Sequence, residues 1–509
     1  MFQKVIQYDS SVNDWGSQIL ATNDGGYVLI GNDGNLNNGG VCLIKLNGQG
    51  DTLWTKVYSD IGGDYGGEYI LQCSNGGYFI YGFTYYDYTD IFMIRTDANG
   101  DSLWTKLFVD PGWSGAEFMK ECNDGGFLIT GEKGYSSNAN SPSNALIIKI
   151  DSLGDTLWTK TYGGINDNWI NNFIETSNGG YILAGGTNSF GAGGYDIWLI
   201  KIDSLGNLIW NKTYGEAGDE TGTIITAPNG GFIVMGYTSS FGAGHYEVFL
   251  MKIDSIGNII WDKTYSILND DERVVNILSC ADEGYILVGA SGIYTSSIIK
   301  SMLIKTDSFG NIKWSNIYYY FSGDGNDFSQ SVIQTSDKGF MFTGDVNIDT
   351  INGGTGIYLV KTDSLGNSGC NQNSITLTVG TPNWVVTTPV PSIGYDSMGI
   401  QSVNTTIISG GLSINTICYT DGIDEIKNRD NEIIVYPDPA NSVITFLQSN
   451  ISTNQQLLIT DLTGREILLQ PINNSTQSTI DISQWSDGIY FYVLKGRNEI
   501  KRGKFIVQK

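Results

Sequence analysis

Residues 221–266 read TGTIITAPNGGFIVMGYTSSFGAGHYEVFLMKIDSIGNIIWDKTYS. Four runs in this stretch, TGTIITAPN, GGFIVMGYT, YEVFLMKID and IIWDKTYS, are rich in β-branched and aromatic residues, which fit the pleated surface of a strand. SSFGAGH separates the second run from the third, and the turn SIGN separates the third from the fourth. The unit therefore reads as four short antiparallel strands. Alternation of apolar and polar residues is only partial, as expected of strands covered on both faces.

The phrase recurs. Trp falls at 54, 104, 158, 210, 261 and 314, spaced 50 to 54 residues apart. An aromatic preceded by Gly falls at Tyr27, Tyr78, Phe127, Tyr181, Phe232, Tyr285 and Phe340. A cation inside an apolar strand falls at Lys45, Arg95, Lys149, Lys201, Lys252, Lys305 and Lys361. Seven four-stranded units with a period near 50 predict an all-β, seven-bladed β-propeller. The seventh unit lacks its fourth strand: after Asp363 and SLGN comes Ser-Gly-Cys, with no Trp. FQKVIQY at 2–8 stands before Tyr27 much as WTKVYSD stands before Tyr78. The N-terminal strand is thus expected to close the last blade, leaving no open sheet edge at the seam. A solenoid would call for caps, not a split repeat.

Phrases such as YDIWLIKIDSLGNLIWNKTYG (195–215) and GGYILAGGTNSFGAGGYD (179–196) resemble SBBP-type seven-bladed propeller repeats of bacterial surface proteins, over about residues 1–367. These repeats carry no single associated activity, so the resemblance implies fold and not chemistry.

After Asn367 the long period ends. Residues 370–429 are rich in Ser, Thr, Val and Asn and read as an extended, partly stranded connector between a propeller at 1–369 and a unit at 430–509. The last unit holds about seven short alternating runs and reads as a small Ig-like β-sandwich. Its Tyr436-Pro437-Asp438-Pro439-Ala440 resembles the Y-P-N-P-A opening of type IX secretion sorting domains, with Asp438 where Asn is usual. Asp461, Gly464 and Arg465 match the family's D-x-x-G-R turn, and Gly488-Ile489-Tyr490 with the basic strand of Lys501, Lys504 and Phe505 matches its end. The resemblance implies recognition by the type IX machinery and delivery to the surface or exterior of a Bacteroidota-type bacterium. Met1 is followed by FQKVIQY with no apolar leader, so export predicts a longer natural N-terminus.

Composition narrows the function classes. The net charge is −25, with 28 Lys+Arg and one His. Such a surface repels phosphate backbones and anionic lipid, so nucleic acid is not an expected partner. No apolar run reaches transmembrane length, and the chain reads as a monomer. Cys73, Cys122 and Cys280 occupy equivalent repeat positions that cannot meet, and with Cys42 they read as buried fillers. Cys370 and Cys418 bracket the connector and can pair in an oxidising compartment.

Candidate sites follow from the repeat. The turn D-S-L-G-N (Asp203 to Asn207, Asp254 to Asn258, Asp363 to Asn367) lacks the carboxylate set of an EF-type calcium loop and reads as a hairpin capped by Asp. It is also similar to sialidase and quinoprotein repeats, but its spacing is wrong for the first. The propeller has only Arg95 and Arg273 for an arginine cluster, and it has no adjacent Cys pair. His245 sits in a loop. The loops before each first strand hold Asp14-Trp15, Asp64-Tyr65, Trp113, Trp169, Asp219-Glu220, Asp271-Glu272 and Asp327-Phe328. On one propeller face these form a ring of carboxylates and aromatic faces suited to a sugar, or to a cation such as calcium. The plainer alternative is that the acids cap strand entries while the rings pack between blades. The expectation is a surface or secreted module binding a glycan or protein, with no catalytic residue and no cofactor assigned. A carbohydrate-active enzyme using channel carboxylates, or a structural spacer, are the alternatives.

Overall fold

The computed structural model describes residues 1–7, 14–32, 40–59, 64–85, 89–109, 114–134, 142–241, 246–267, 271–293, 298–320, 327–347, 354–395, 399–403, 405–409, 413–419, 433–436, 440–448, 455–461, 465–472, 477–495 and 500–508. The chain divides into two compact units, Met1–Tyr419 and Thr420–Lys509.

The first unit is a β-propeller, with seven five-stranded antiparallel sheets among the described residues. In blade 4, Asn168–Glu175 is the innermost strand, followed outward by Tyr181–Thr187, Asp196–Ile202 and Leu208–Gly215. Blades 1, 2, 3, 5 and 6 repeat this order, beginning at Trp15, Asp64, Ser114, Glu220 and Asp271. Each innermost strand packs against that of the next blade, and the first meets the seventh, so the ring closes. Blade 7 (Asp327–Gln334, Phe340–Asn347, Thr355–Thr362) takes its fourth strand from the N-terminus: Phe2–Gln7 pairs antiparallel with Thr355–Thr362, Gln3 opposite Val360.

The repeated Trp, Lys and Tyr of the fourth strand are the fasteners between blades. The rings of Trp54, Trp104, Trp158, Trp210, Trp261 and Trp314 cover the turn glycines of the following blade, Gly100, Gly154, Gly206, Gly257, Gly310 and Gly366; a Cβ there would meet the ring or its neighbours at 2.6–3.0 Å. These glycines also hold φ of 75–81°, which side chains resist. Phe2 covers Gly50 in the same way, so it stands in for Trp at the seam. Two residues on, Lys4, Lys56 and Lys106 pair with Asp51, Asp101 and Asp155 of the next blade at 2.7–2.9 Å. Lys160 and Lys212 reach Asn207 and Asn258. Two further on, the buried hydroxyls of Tyr58, Tyr162, Tyr214, Tyr265 and Tyr318 donate to the carbonyls of Gly100, Gly206, Gly257, Gly310 and Gly366. Phe108 and Ile6 hold this position without a hydroxyl. The D-S-L-G-N turns behave as capped hairpins: Asp203 Oδ1 accepts from the amides of Leu205 and Asn207 at 2.9 and 2.7 Å.

The fifth strand of every blade comes from the segment read as a connector, so the four-strand expectation and the boundary at 369/370 are corrected. Gln372–Ser374 pairs with blade 6, Thr378–Gly380 with blade 5, Val385–Thr387 with blade 4, Ser392–Tyr395 with blade 3, Gly399–Val403 with blade 2, Thr406–Ser409 with blade 1, and Ser413–Tyr419 with blade 7. The chain thus turns back and lays a belt around the ring in reverse order. The step from Thr378 onward is seven residues, about 24 Å of extended chain, which carries it from one blade rim to the next. The belt is anchored by apolar plugs: Leu377 and Trp384 are buried, Trp384 edge-on to Phe241 and Phe249. Cys370 and Cys418, at its two ends, form a disulfide. The other four cysteines are buried and form no disulfide.

In the second unit, a three-stranded sheet (Ile433–Tyr436, Val443–Gln448, Gln477–Asp481) and a four-stranded sheet (Gln455–Thr460, Glu466–Ile472, Gly488–Lys495, Ile500–Val507) enclose Ile444, Phe446, Leu457, Ile459, Tyr490, Tyr492 and Phe505. This is the expected seven-stranded sandwich.

Candidate functional site

Strands of a blade alternate in direction, so the first and third strands of each blade start on the same face. The acids proposed from sequence mark these starts, and most turn inward. Asp14 is buried, and its backbone seals the seam by donating to the Thr355 carbonyl at 3.1 Å. Glu220 is buried and accepts from Thr238 Oγ1 (2.8 Å) and the Glu216 amide (3.1 Å). Glu272 accepts from the Ile267 amide, and Asp327 from the Tyr320 amide, both at 3.0 Å. Asn168 does the same work in blade 4, holding Ser143 O and Thr187 Oγ1. Burial pushes Asp327 up to about 7. Asp196 lies beside Glu220, both crowding Gly215, and burial with the Glu220 charge pushes Asp196 up to about 6. Glu220, Glu272, Asp327 and Asp196 thus each accept from a loop backbone amide and tie loop to strand.

Asp219 and Asp271, one residue earlier, face the other way because strand neighbours alternate sides. They belong to a chain of tyrosines and aspartates across blades 4 to 6. Tyr195 donates its hydroxyl to Asp167 Oδ2 (3.3 Å) and its amide to Asp219 Oδ1 (3.0 Å). Tyr246 donates its hydroxyl to Asp219 Oδ2 (3.5 Å) and its amide to Asp271 Oδ1 (3.0 Å). Trp169 sits edge-on to Tyr195, centroids 5.2 Å apart, and covers Gly186. Tyr237 meets Tyr246 at 5.3 Å, and the Arg273 guanidinium lies over both rings at 5.4 and 4.5 Å. Trp169, Tyr195, Asp219, Tyr237, Tyr246 and Asp271 are half-buried. Burial, then the nearby aspartates, hold both Tyr195 and Tyr246 above the ordinary tyrosine range. Of this arc, sequence reasoning proposed Trp169, Asp219 and Asp271. It missed Asp167, Tyr195, Tyr237, Tyr246 and Arg273, although Gly-Tyr-Asp at 194–196 and His-Tyr-Glu at 245–247 repeat at the third-strand start.

The remaining candidates are scattered. Trp15 is 42 % exposed on blade 1 and Phe328 is half-buried on blade 7. Asp64 and Tyr65 open a strand, but their side chains lie outside the described residues, as do Trp113 and His245. Among the described residues no three Asp, Glu, His or Cys side chains are placed to hold a metal ion, and no helix is long and apolar enough to cross a membrane.

A second feature lies on the inner rim. The innermost strands of blades 1, 2, 3, 4, 6 and 7 each carry a bulge, where pairing skips Ser17, Glu68, Glu117, Asn171, Val275 and Gln330. Ser17 and Asn171 cross to backbone carbonyls of the next blade. Glu68 and Glu117 are neighbours in adjacent blades. The Glu117 side chain is exposed, and the groups packed around it, then the charges of Glu132 and Glu68, push its carboxyl above the usual carboxylate range.

In the second unit, Asp461 Oδ1 and Oδ2 accept from the Arg465 amide and Nε at 3.1 and 3.0 Å. Tyr490 stacks on Phe505 at 5.7 Å and donates to Ser486 O. Gly488 pairs with Val507, and Lys504 is exposed on the last strand opposite Phe491. Pro437, Asp438, Pro439 and Gly464 lie outside the described residues, as do the side chains of Tyr436 and Lys501.

Residues 434–508 match the family of secretion system C-terminal sorting domains. This chain therefore ends in a type IX sorting domain, engages the secretion machinery, and is exported to the cell surface or beyond. No curated protein matches the chain. Among solved structures it is similar to an extracellular domain assigned to a one-component system of B. thetaiotaomicron (10% identity, 97% of this chain and 57% of that one, TM-score 0.39). It is also similar to PorZ, a surface component of the type IX secretion system of Porphyromonas gingivalis (10%, 97% and 81%, 0.28), and to a protein of unknown function from Dyadobacter fermentans (11%, 70% and 97%, 0.42). The chain thus spans little more than half of the first of these.

Proposed function

We propose that the propeller is a ligand-binding module carried outside the cell, and that a glycan or surface-protein ligand seats on the arc of blades 4 to 6. The observation that carries this reading is the half-exposed run Trp169, Tyr195, Tyr246, Tyr237 and Arg273, interleaved with Asp167, Asp219 and Asp271. Aromatic faces stack on the C–H side of a sugar, while carboxylates accept its hydroxyl protons. Rigid Tyr and Arg are also the side chains that dominate protein recognition. The test is a glycan array and a surface-protein array probed with the full chain, with and without calcium. Selective binding that Tyr246→Ala weakens at least tenfold supports the reading; binding that the substitution leaves intact removes the arc from it.

A second reading rests on Glu68 and Glu117. A glycosidase needs one carboxyl kept protonated near neutrality beside an ionised one; the raised Glu117 meets the first requirement, while burial also raises Glu68, which would have to supply the ionised one. Turnover of a bound oligosaccharide, abolished by Glu117→Gln, would make the module an enzyme; binding without turnover leaves it a receptor.

A further inference from the structure

Blade 7 is built from three separated stretches: residues 327–362, the N-terminal strand Phe2–Gln7, and the belt's last strand Ser413–Tyr419. In every other blade the four inner strands follow one another in the chain. Among the described residues, the seam between Thr355–Thr362 and Phe2–Gln7 is therefore the place where the ring is held by pairing alone. The belt starts there and ends there. It leaves blade 7 at Cys370, adds a strand to blades 6, 5, 4, 3, 2 and 1 in turn, and returns beside Phe2–Gln7. Its disulfide sits on the seam strand: Gln3 pairs with Cys418, and the Gln3 side-chain amide donates to the Cys370 carbonyl at 2.6 Å and to Ser368 Oγ at 3.0 Å. Tyr358 Oη, from the other side of the seam, donates to Gln3 Oε1 at 3.0 Å.

We propose that Cys370–Cys418 turns the belt into a covalent hoop around the outside of all seven blades, and that this hoop is the clasp that keeps the seam shut. With the bond closed, the strand at 413–419 has no free end from which to peel, and Phe2–Gln7 stays trapped between it and blade 7. With the bond open, the belt becomes a tail that frays from its C-terminal end, and the seam is the first element uncovered. The hoop is thus a redox-sensitive device that closes only in an oxidising exterior, where the sorting domain sends the chain. It acts whether or not a ligand is bound.

The experiment is hydrogen exchange, read by mass spectrometry, on the intact chain before and after native reduction. Dithiothreitol breaks the bond by two thiolate exchanges, yielding two cysteine thiols and cyclic oxidised reagent; both sulfurs belong to half-buried residues, while the four cysteines outside the disulfide are buried. Exchange at 2–7 and 413–419 is expected to quicken at least tenfold, with 127–134, 181–187 and 232–238 unchanged. A Cys370→Ser/Cys418→Ser chain, if it folds, reproduces the reduced pattern. An unchanged seam overturns the proposal. Acceleration spread evenly over the seven blades overturns it too, since the bond would then act on the whole ring and not on its seam.

Discussion

Removing a single hydroxyl tests whether the recurring fourth-strand tyrosine fastens blade to blade. Tyr265 is fully buried between blades 5 and 6 and donates to the Gly310 carbonyl at 2.6 Å. Tyr265→Phe keeps the ring and deletes only the bond. A buried hydrogen bond contributes about 1 kcal/mol net, and a carbonyl left dry without a donor costs about 1–3 kcal/mol. The expected loss is about 1–2.5 kcal/mol. The reciprocal change is Phe108→Tyr, where a buried ring without a hydroxyl holds the equivalent fourth-strand position of blade 2. It is expected to add up to about 1 kcal/mol. Urea unfolding with an unchanged slope reads both values, because a difference in midpoint alone then reports stability. A Tyr265→Phe chain within about 0.3 kcal/mol of the parent, together with a Phe108→Tyr chain that loses more than about 1 kcal/mol, would refute the latch as a stabilising device.

Truncating the belt plug, Trp384→Ala, empties a site between Phe241 and Phe249 and should cost about 3 kcal/mol, read by the same unfolding curves. Deleting residues 1–7 exposes the paired edges of 355–362 and 413–419, so light scattering should show self-association that the parent lacks. Stability should rise on acidification from about pH 7 toward pH 4. Asp327, Asp345 and Asp196 have folded values raised by burial to about 7, 6 and 6, so the folded state holds protons that the unfolded chain releases above about 4. Their contribution is complete below the unfolded value and gone above the folded one. Asp327→Asn should flatten that slope in thermal scans between pH 4 and 7. Asp24, held down to about 2 by its bonds to Lys45 and Thr22, acts oppositely and is lost only as pH falls below 4.

The ring was legible because its signals are local. Trp, Lys and Tyr at fixed steps of one strand each bind the next blade, so every copy must keep them in phase. The seam was legible for the same reason, since Phe2, Lys4 and Val5 repeat the fourth-strand pattern. The belt was not. Its strands are mostly three to five residues long, too short for a hydrophobic run. Its seven-residue step, seen in Val379, Val386, Ile393, Ile400, Ile407 and Ile414, is set by the distance between blade rims and by no secondary-structure period. On the candidate face, dipeptides such as Asp219-Glu220 read as one acidic patch. Their members part because one side of a strand faces the blade interior and the other the rim, and sequence alone does not say which. Tyr195 and Tyr246 escaped notice because their partners come from loops of the neighbouring blade. The channel-side Glu68 and Glu117 depend on bulges, which leave no mark in composition.

The proposed binding arc lies on blades 4 to 6 of an exported propeller. The most direct measurement compares ligand capture by the full chain, a Trp169→Ala/Tyr246→Ala chain, and a control altered on the opposite face at the exposed turn residue, Phe309→Ser. All three would be required to unfold at similar urea concentrations. One glycan or protein bound by the parent is expected to be retained by the control and weakened at least tenfold by the double variant. Equal binding by all three, or loss in the control alone, would contradict it.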